Sequence, residues 1–156
     1  MRKLLIVSAS SNVLKEPQEP VEAMKRFDGI LMRIVRRYYG NKKVDILLLS
    51  PVQGLVWADE KIPYKQPLGG GWYKLPLSEE KIKTSRETNL ATLRRVLDAS
   101  DYDEIHVGVG KYMLSLIEGF EKLVKKKTKV TYASSAGLGA KLKSLNQWFE
   151  SQNRHA

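Results

Sequence analysis

The sequence predicts an α/β protein: a three-layer α/β/α sandwich around a four-stranded parallel sheet of order 2-1-3-4. Three observations predict it. Four short apolar runs, Leu4–Val7, Val44–Leu49, Glu104–Val109 and Lys129–Tyr132, are rich in Ile, Leu and Val and bounded by polar residues or Gly, as strands buried on both faces are. The segments between them carry apolar residues at spacings of three and four, the period of a helix with one buried stripe. The two kinds of segment alternate as β-α-β-α-β-α-β-α, which implies parallel pairing through right-handed crossovers. No repeat, low-complexity tract or linker divides the 156 residues, so 1–156 reads as one domain.

The elements follow in order. After the first strand, Val21, Met24, Phe27, Leu31, Ile34 and Tyr38 place one stripe on a first helix, with Pro20 in its first turn and Gly40 just past its end. The second strand is Val44–Leu49. Ile82, Leu90, Leu93 and Leu97 then mark a second helix, with Ser78 as N-cap and Glu80 in its first turn. Leu114, Ile117, Phe120 and Val124 mark the third helix, between the third and fourth strands. Leu138, Leu142, Leu145 and Phe149 mark the last.

Composition narrows the function classes. Cys is absent and His occurs twice, at His106 and His155, so thiolate chemistry, disulfides and a multi-histidine metal site are excluded. No metal and no cofactor is expected. No apolar run approaches the length of a membrane span. The stretch after Met1-Arg2-Lys3 is too short for a signal peptide, so a cytoplasmic location and no membrane partner are expected. The net charge of +10 favours a polyanionic partner through steering and counterion release. Its alternative source is a lysine-rich surface of a heat-adapted protein. The excess concentrates late in the chain, around Lys125-Lys126-Lys127.

In a doubly wound sheet, ligands bind outside the carboxyl ends of the strands, where the strand order reverses. Four loops should meet there. Ser8-Ala9-Ser10-Ser11-Asn12 offers hydroxyls with no base beside them, and Gly108-Val109-Gly110-Lys111 offers a cation. Ala133-Ser134-Ser135-Ala136-Gly137-Leu138-Gly139 leads into the last helix with small residues, as an anion site at a helix start requires, or as a plain serine cap requires. Ser8, Ser10, Ser11, Lys111, Ser134, Ser135 and Gly137 are therefore the phosphate-binding candidates. His106 lies inside a strand and reads as a core histidine.

The fourth loop, Ser50 to Trp72, is unusually long for a compact domain. Trp57, Tyr64 and Trp72 beside Lys61, Lys65 and Lys74 combine stacking faces with cations, the mixture that binds unstacked bases. Gly69-Gly70-Gly71 gives close approach or a sharp reversal. The expectation is that this segment folds over the carboxyl edge as one wall of a base pocket of Ser50, Trp57, Glu60, Tyr64, Gly71 and Trp72. The rival reading is a covering flap. Asp59 and Glu60 are the adjacent carboxylates of the segment and, with Ser10, the candidates for catalysis.

Ser50-Pro51, Gly54, Val56, Glu60, Pro63-Tyr64, Pro67, Gly70 or Gly71, Trp72 and Glu79 resemble the pattern of the archaeosine synthase core domain, found also in relatives of archaeal tRNA-guanine transglycosylase. The shorter "LLLSPVQGLV…PY" also resembles small relatives of the bacterial peroxide-stress family. Tyr102–Lys122 fits the next strand and helix of such domains. The resemblance implies a uracil-DNA-glycosylase-like fold, an archaeal origin, and work on a 7-deazaguanine in tRNA. The family's synthases carry a cysteine-containing segment after the first strand, where this chain has Ser8-Ala9-Ser10-Ser11. A divergent enzyme or an accessory to modification is thus expected. The alternatives are a small-molecule enzyme acting on a nucleotide or sugar phosphate, and a subunit whose aromatic flap is a protein interface.

Overall fold

The computed structural model describes residues 2–10, 12–68, 75–134 and 137–154. Along the chain lie β1 (Arg2–Ser8), β2 (Asn12–Val13), β3 (Val21–Glu22), α1 (Ala23–Arg26), β4 (Phe27–Asp28), α2 (Ile30–Tyr38), β5 (Val44–Ser50), β6 (Gly54–Trp57) and β7 (Lys61–Ile62). Then come α3 (Glu79–Ala99), β8 (Tyr102–Gly108), two 3₁₀ segments (Lys111–Ile117 and Phe120–Leu123), β9 (Lys129–Tyr132) and α4 (Leu138–Arg154).

The main sheet has five strands in the order β6-β5-β1-β8-β9, where four were expected. The β5–β1, β1–β8 and β8–β9 pairs are parallel, and β6 joins β5 antiparallel with Trp57 opposite Leu47 and Leu55 opposite Leu49. The extra strand was hidden because Gly54–Trp57 is a four-residue run inside a stretch full of turn residues. A tight turn after Ser50 makes it possible: the Ser50 hydroxyl accepts from the amides of Val52 (3.1 Å) and Gln53 (3.0 Å). The outward amides of β6 are also occupied. Leu55 N–H donates to Asn89 Oδ1 and Trp57 N–H to Glu60 Oε1, each at 3.2 Å. Side chains thus cap the edge against pairing with another strand.

Helices cover both faces. On one, α3 and the 3₁₀ segments pack on Leu4, Ile6, Leu47, Leu49, Ile105 and Val107. On the other, α2 and α4 pack on Leu5, Val7, Ile46 and Leu48 through Met32, Val35, Leu145, Trp148 and Phe149. The second helix forms as expected, with the Ser78 hydroxyl accepting from Lys81 N–H at 3.2 Å.

Two expected helices are corrected. The first is broken: a single turn at Ala23–Arg26 is followed by extended Phe27–Asp28, and α2 starts only at Ile30. Gly29, at φ +143°, makes the break in a conformation that side chains disfavour. The flanking pieces pair instead with β2 and β7. In place of the third helix stand the two 3₁₀ segments. Leu114, Ile117 and Phe120 recur at three, the period of a 3₁₀ turn, and left-handed Gly119 (φ 90°) separates the segments.

Candidate functional site

The long segment after β5 first runs back down the flank of the sheet as β6, then crosses to the opposite side, where β7 pairs with β3 and Met24 N–H donates to Ala58 O at 2.8 Å. Pro63 O then accepts from Gln53 Nε2 at 3.0 Å beside the turn that ends β5. Trp57 sits opposite Leu47, three residues before the end of β5. At the strand rise this is ~10 Å below the carboxyl edge. Trp57 therefore lies away from Ser8, at the carboxyl end of β1.

At the flank, β6 and α3 enclose an open groove of ≈ 350 Å³ lined by Leu47, Leu55, Trp57, Glu60, Thr92, Arg95, Val96 and Ala99. Two residues predicted for base binding, Trp57 and Glu60, meet here. Leu47, Leu55 and Val96 are buried and form the apolar floor. Trp57 is half-buried against it, and Glu60 and Arg95 are exposed at the mouth. Glu60 uses Oε1 on the Trp57 amide, and Arg95 Nη2 donates to Thr92 Oγ1 at 3.3 Å. An apolar slot with an aromatic wall, a carboxylate and a guanidinium suits a flat, polar-edged ring.

The other predicted members lie elsewhere. Ser50 is buried and its hydroxyl serves the turn into β6. Tyr64 is half-buried and Asp59 exposed. Gly71 and Trp72 lie outside the described residues. A larger depression of ≈ 490 Å³ adjoins Pro51 at the start of α3, but its described lining has no aromatic face.

At the carboxyl edge, Ser8 and Ser10 are both engaged: Ser8 Oγ accepts from Gly110 N–H at 2.9 Å and Ser10 Oγ from Asn12 N–H at 3.0 Å. Neither hydroxyl has a carboxylate or imidazole bonded to it among the described residues. Lys111 is exposed, Ser134 N–H donates to Ser144 Oγ at 3.2 Å, and exposed Gly137 precedes α4 with its carbonyl accepting from Lys141 N–H. Ser11 and Ser135 lie outside the described residues. The lysine run is partly spoken for: Lys125 and Lys127 both pair with Asp101, at 2.8 and 3.3 Å.

Four residues at these places were not anticipated. Thr92, Arg95 and Ala99 form one stripe of α3, a spacing visible in the sequence, but nothing local says that β6 docks beside it. Lys141 is half-buried at the carboxyl edge, and burial lowers its pKa. His106, read as a core histidine, is indeed buried, stacked on Trp148 at 4.7 Å and bonded through Nδ1 to Thr131 Oγ1 at 2.7 Å. Its Nε2 has no partner among the described residues, and burial pushes the ring's pKa down to about 4 against the opposing pull of Glu104.

Among the described residues, no helix is long and apolar enough to cross a membrane, and no group of three or more His, Asp or Glu could hold a metal. No protein-family model matches the chain. No curated protein matches it either. The chain is similar in fold to a solved structure described as AF0587, a protein of unknown function, with a TM-score of 0.51 at 12% sequence identity. That likeness covers 95% of this chain and 44% of the neighbour, so the chain spans less than half of the neighbour's length.

Proposed function

We propose that the chain is a tRNA- or nucleobase-binding domain of the archaeosine-synthase type, with a uracil-DNA-glycosylase-like sheet, acting in tRNA modification at a 7-deazaguanine. The observation that carries the reading is the flank groove, which unites Trp57 and Glu60 with Thr92 and Arg95. A purine slides against the Trp57 face over Leu47, Leu55 and Val96. Glu60, through the oxygen not used on the Trp57 amide, accepts from the N–H groups of a guanine-like edge. Arg95 donates to its carbonyl oxygen, the pairing that guanidinium groups make with guanine. The net charge of +10 supplies the attraction for the RNA backbone. Ser8 and Ser10, bonded to backbone amides and without a base among the described residues, favour binding over nucleophilic chemistry.

Titration with guanosine, 7-deazaguanosine and tRNA tests this. Stacking is worth about 1–3 kcal/mol per base, so Trp57→Ala should weaken nucleoside binding by about 5- to 150-fold. Glu60→Gln should narrow the preference for guanosine over adenosine. Unchanged affinity in Trp57→Ala would sink the groove as the base site. Nucleotide binding with no affinity for tRNA would assign the small-molecule alternative instead.

A further inference from the structure

We infer that Lys141 is the cation of a phosphate-binding site at the carboxyl edge of the sheet, formed with Gly110 and Ser8 and separate from the flank groove. Two independent features carry it. The first is an uncompensated charge. Among the described residues two lysines are half-buried, Lys3 and Lys141: Lys3 lies against Asp103 and Glu104, whereas Lys141 has no carboxylate partner among the described residues. An ammonium that has given up water without gaining an anion is costly, and its depressed pKa reports the same deficit. A bound anion reverses it.

The second is the glycine in front of it. Gly110 has φ −58° and ψ 145°, a conformation open to any residue, so its backbone does not require glycine. A Cβ there would instead stand 3.5 Å from Lys141 Nζ and 3.3 Å from the Tyr112 ring. Its absence keeps the approach to the ammonium clear. Gly110 N–H donates to Ser8 Oγ, which leaves the Ser8 hydroxyl proton to donate to a ligand oxygen. The three groups arrive from β1, the loop after β8, and α4. They meet where parallel strands end and where ligands of such sheets bind. In a chain of net charge +10, the anion these groups suit is a phosphate, either of a small phosphate ester or of an RNA backbone.

The test uses the full chain with two probes, inorganic phosphate at matched ionic strength and a short single-stranded RNA, on wild type, Lys141→Met, Gly110→Ala and, as a control on α3, Lys83→Gln. Phosphate should raise the melting temperature of the wild type. Lys141→Met should weaken phosphate by about tenfold or more, the scale of a charge-assisted hydrogen bond. Gly110→Ala, whose methyl would lie in contact with the ammonium and cover one side of it without straining the backbone, should weaken it too, and exposed Lys83→Gln should leave it within about twofold. If the source is RNA, Lys141→Met should also reduce the slope of log affinity against log salt by about 0.7. An unchanged slope with the phosphate response lost assigns a small ester. Equal phosphate responses and equal RNA slopes in wild type and Lys141→Met overturn the site, as does a wild type that responds to neither probe. Trp57→Ala should leave the phosphate response intact, so failure of the groove and failure of this site are read on different variants.

Discussion

The two faces of the sheet bury similar apolar layers but treat polar groups differently. Under α3, the buried polar side chain among the described residues is Asn89, and both its ends are satisfied: Oδ1 accepts from Leu55 N–H and Nδ2 donates to Leu116 O at 3.0 Å. On the side of α2 and α4, Arg26, Glu104 and His106 are all buried, and Arg26 Nε and His106 Nε2 have no partner among the described residues. Burial pushes the Glu104 carboxyl up, but hydrogen bonds from Thr131 and Trp148, with the charge of Lys3, hold it below its ordinary value. The first face tolerates one polar group because that group is complete. The second carries incomplete groups, and those are where its stability should respond to substitution and pH.

The largest effect expected is at Arg26. It is fully buried and donates to three carbonyls, those of Leu14 and Pro17 from Nη1 and of Glu19 from Nη2, at 2.8 to 2.9 Å. It thereby ties down the irregular chain before β3. Arg26→Met keeps much of the volume and strands all three acceptors, so a loss of about 4 kcal/mol is expected in denaturant unfolding. Hydrogen exchange should show lost protection around β2 and β4 with α3 unaffected. A loss spread evenly over both faces would break the comparison.

On the other face, Asn89→Leu should cost about 3 kcal/mol by leaving the Leu55 amide and the Leu116 carbonyl unpaired. The loosening should be greatest in β6, whose outer edge Asn89 caps. Because β6 forms one side of the flank groove, nucleoside affinity should fall with it. A fully stable variant would mean that water replaces the amide, and the face would then be less dry than its packing implies.

How much of this was legible follows from where each signal lies. The parallel strands show themselves because strands buried on both faces leave runs such as Val44–Leu49. Ser78 shows itself as a cap because its neighbours are helical. β6 does not, since its pairing with β5 depends on the Ser50 turn rather than on four residues of pattern. Arg26 lies off the apolar stripe of the expected first helix, next to Lys25, and looks solvent-facing. Only the fold, by breaking the helix at Gly29, turns it inward. At the candidate site, Trp57 and Glu60 stand close in sequence and are readable as a pair. Arg95 comes from a helix that only the three-dimensional arrangement brings beside them. Lys141 is one of 27 Lys and Arg residues, and nothing in composition marks a lysine that lacks a carboxylate.

The smallest effect is the most specific, and it concerns His106. Thr131 Oγ1 has one proton and gives it to Glu104, so the hydrogen bond at His106 Nδ1 must run from the ring to the hydroxyl. The neutral ring is therefore protonated on Nδ1, and any second proton must go to Nε2, which is buried without an acceptor among the described residues. Its folded pKa of about 4 lies below the ordinary imidazole value of 6.5, so the unfolded chain binds more protons between those limits. Stability is then fully present above pH 6.5 and falls as pH drops toward 4, by about 2 kcal/mol at pH 5. Glu104, held below 4.5, loses its contribution only at lower pH, so the window from 6.5 to 5 isolates the imidazole. His106→Phe preserves a ring against Trp148 and removes the titration. Its denaturant midpoint should be nearly flat across that window while the wild type's falls. Parallel curves for the two proteins would show that the α4 face acquires its acid sensitivity from some other group, and the contrast between the two faces would rest on Arg26 alone.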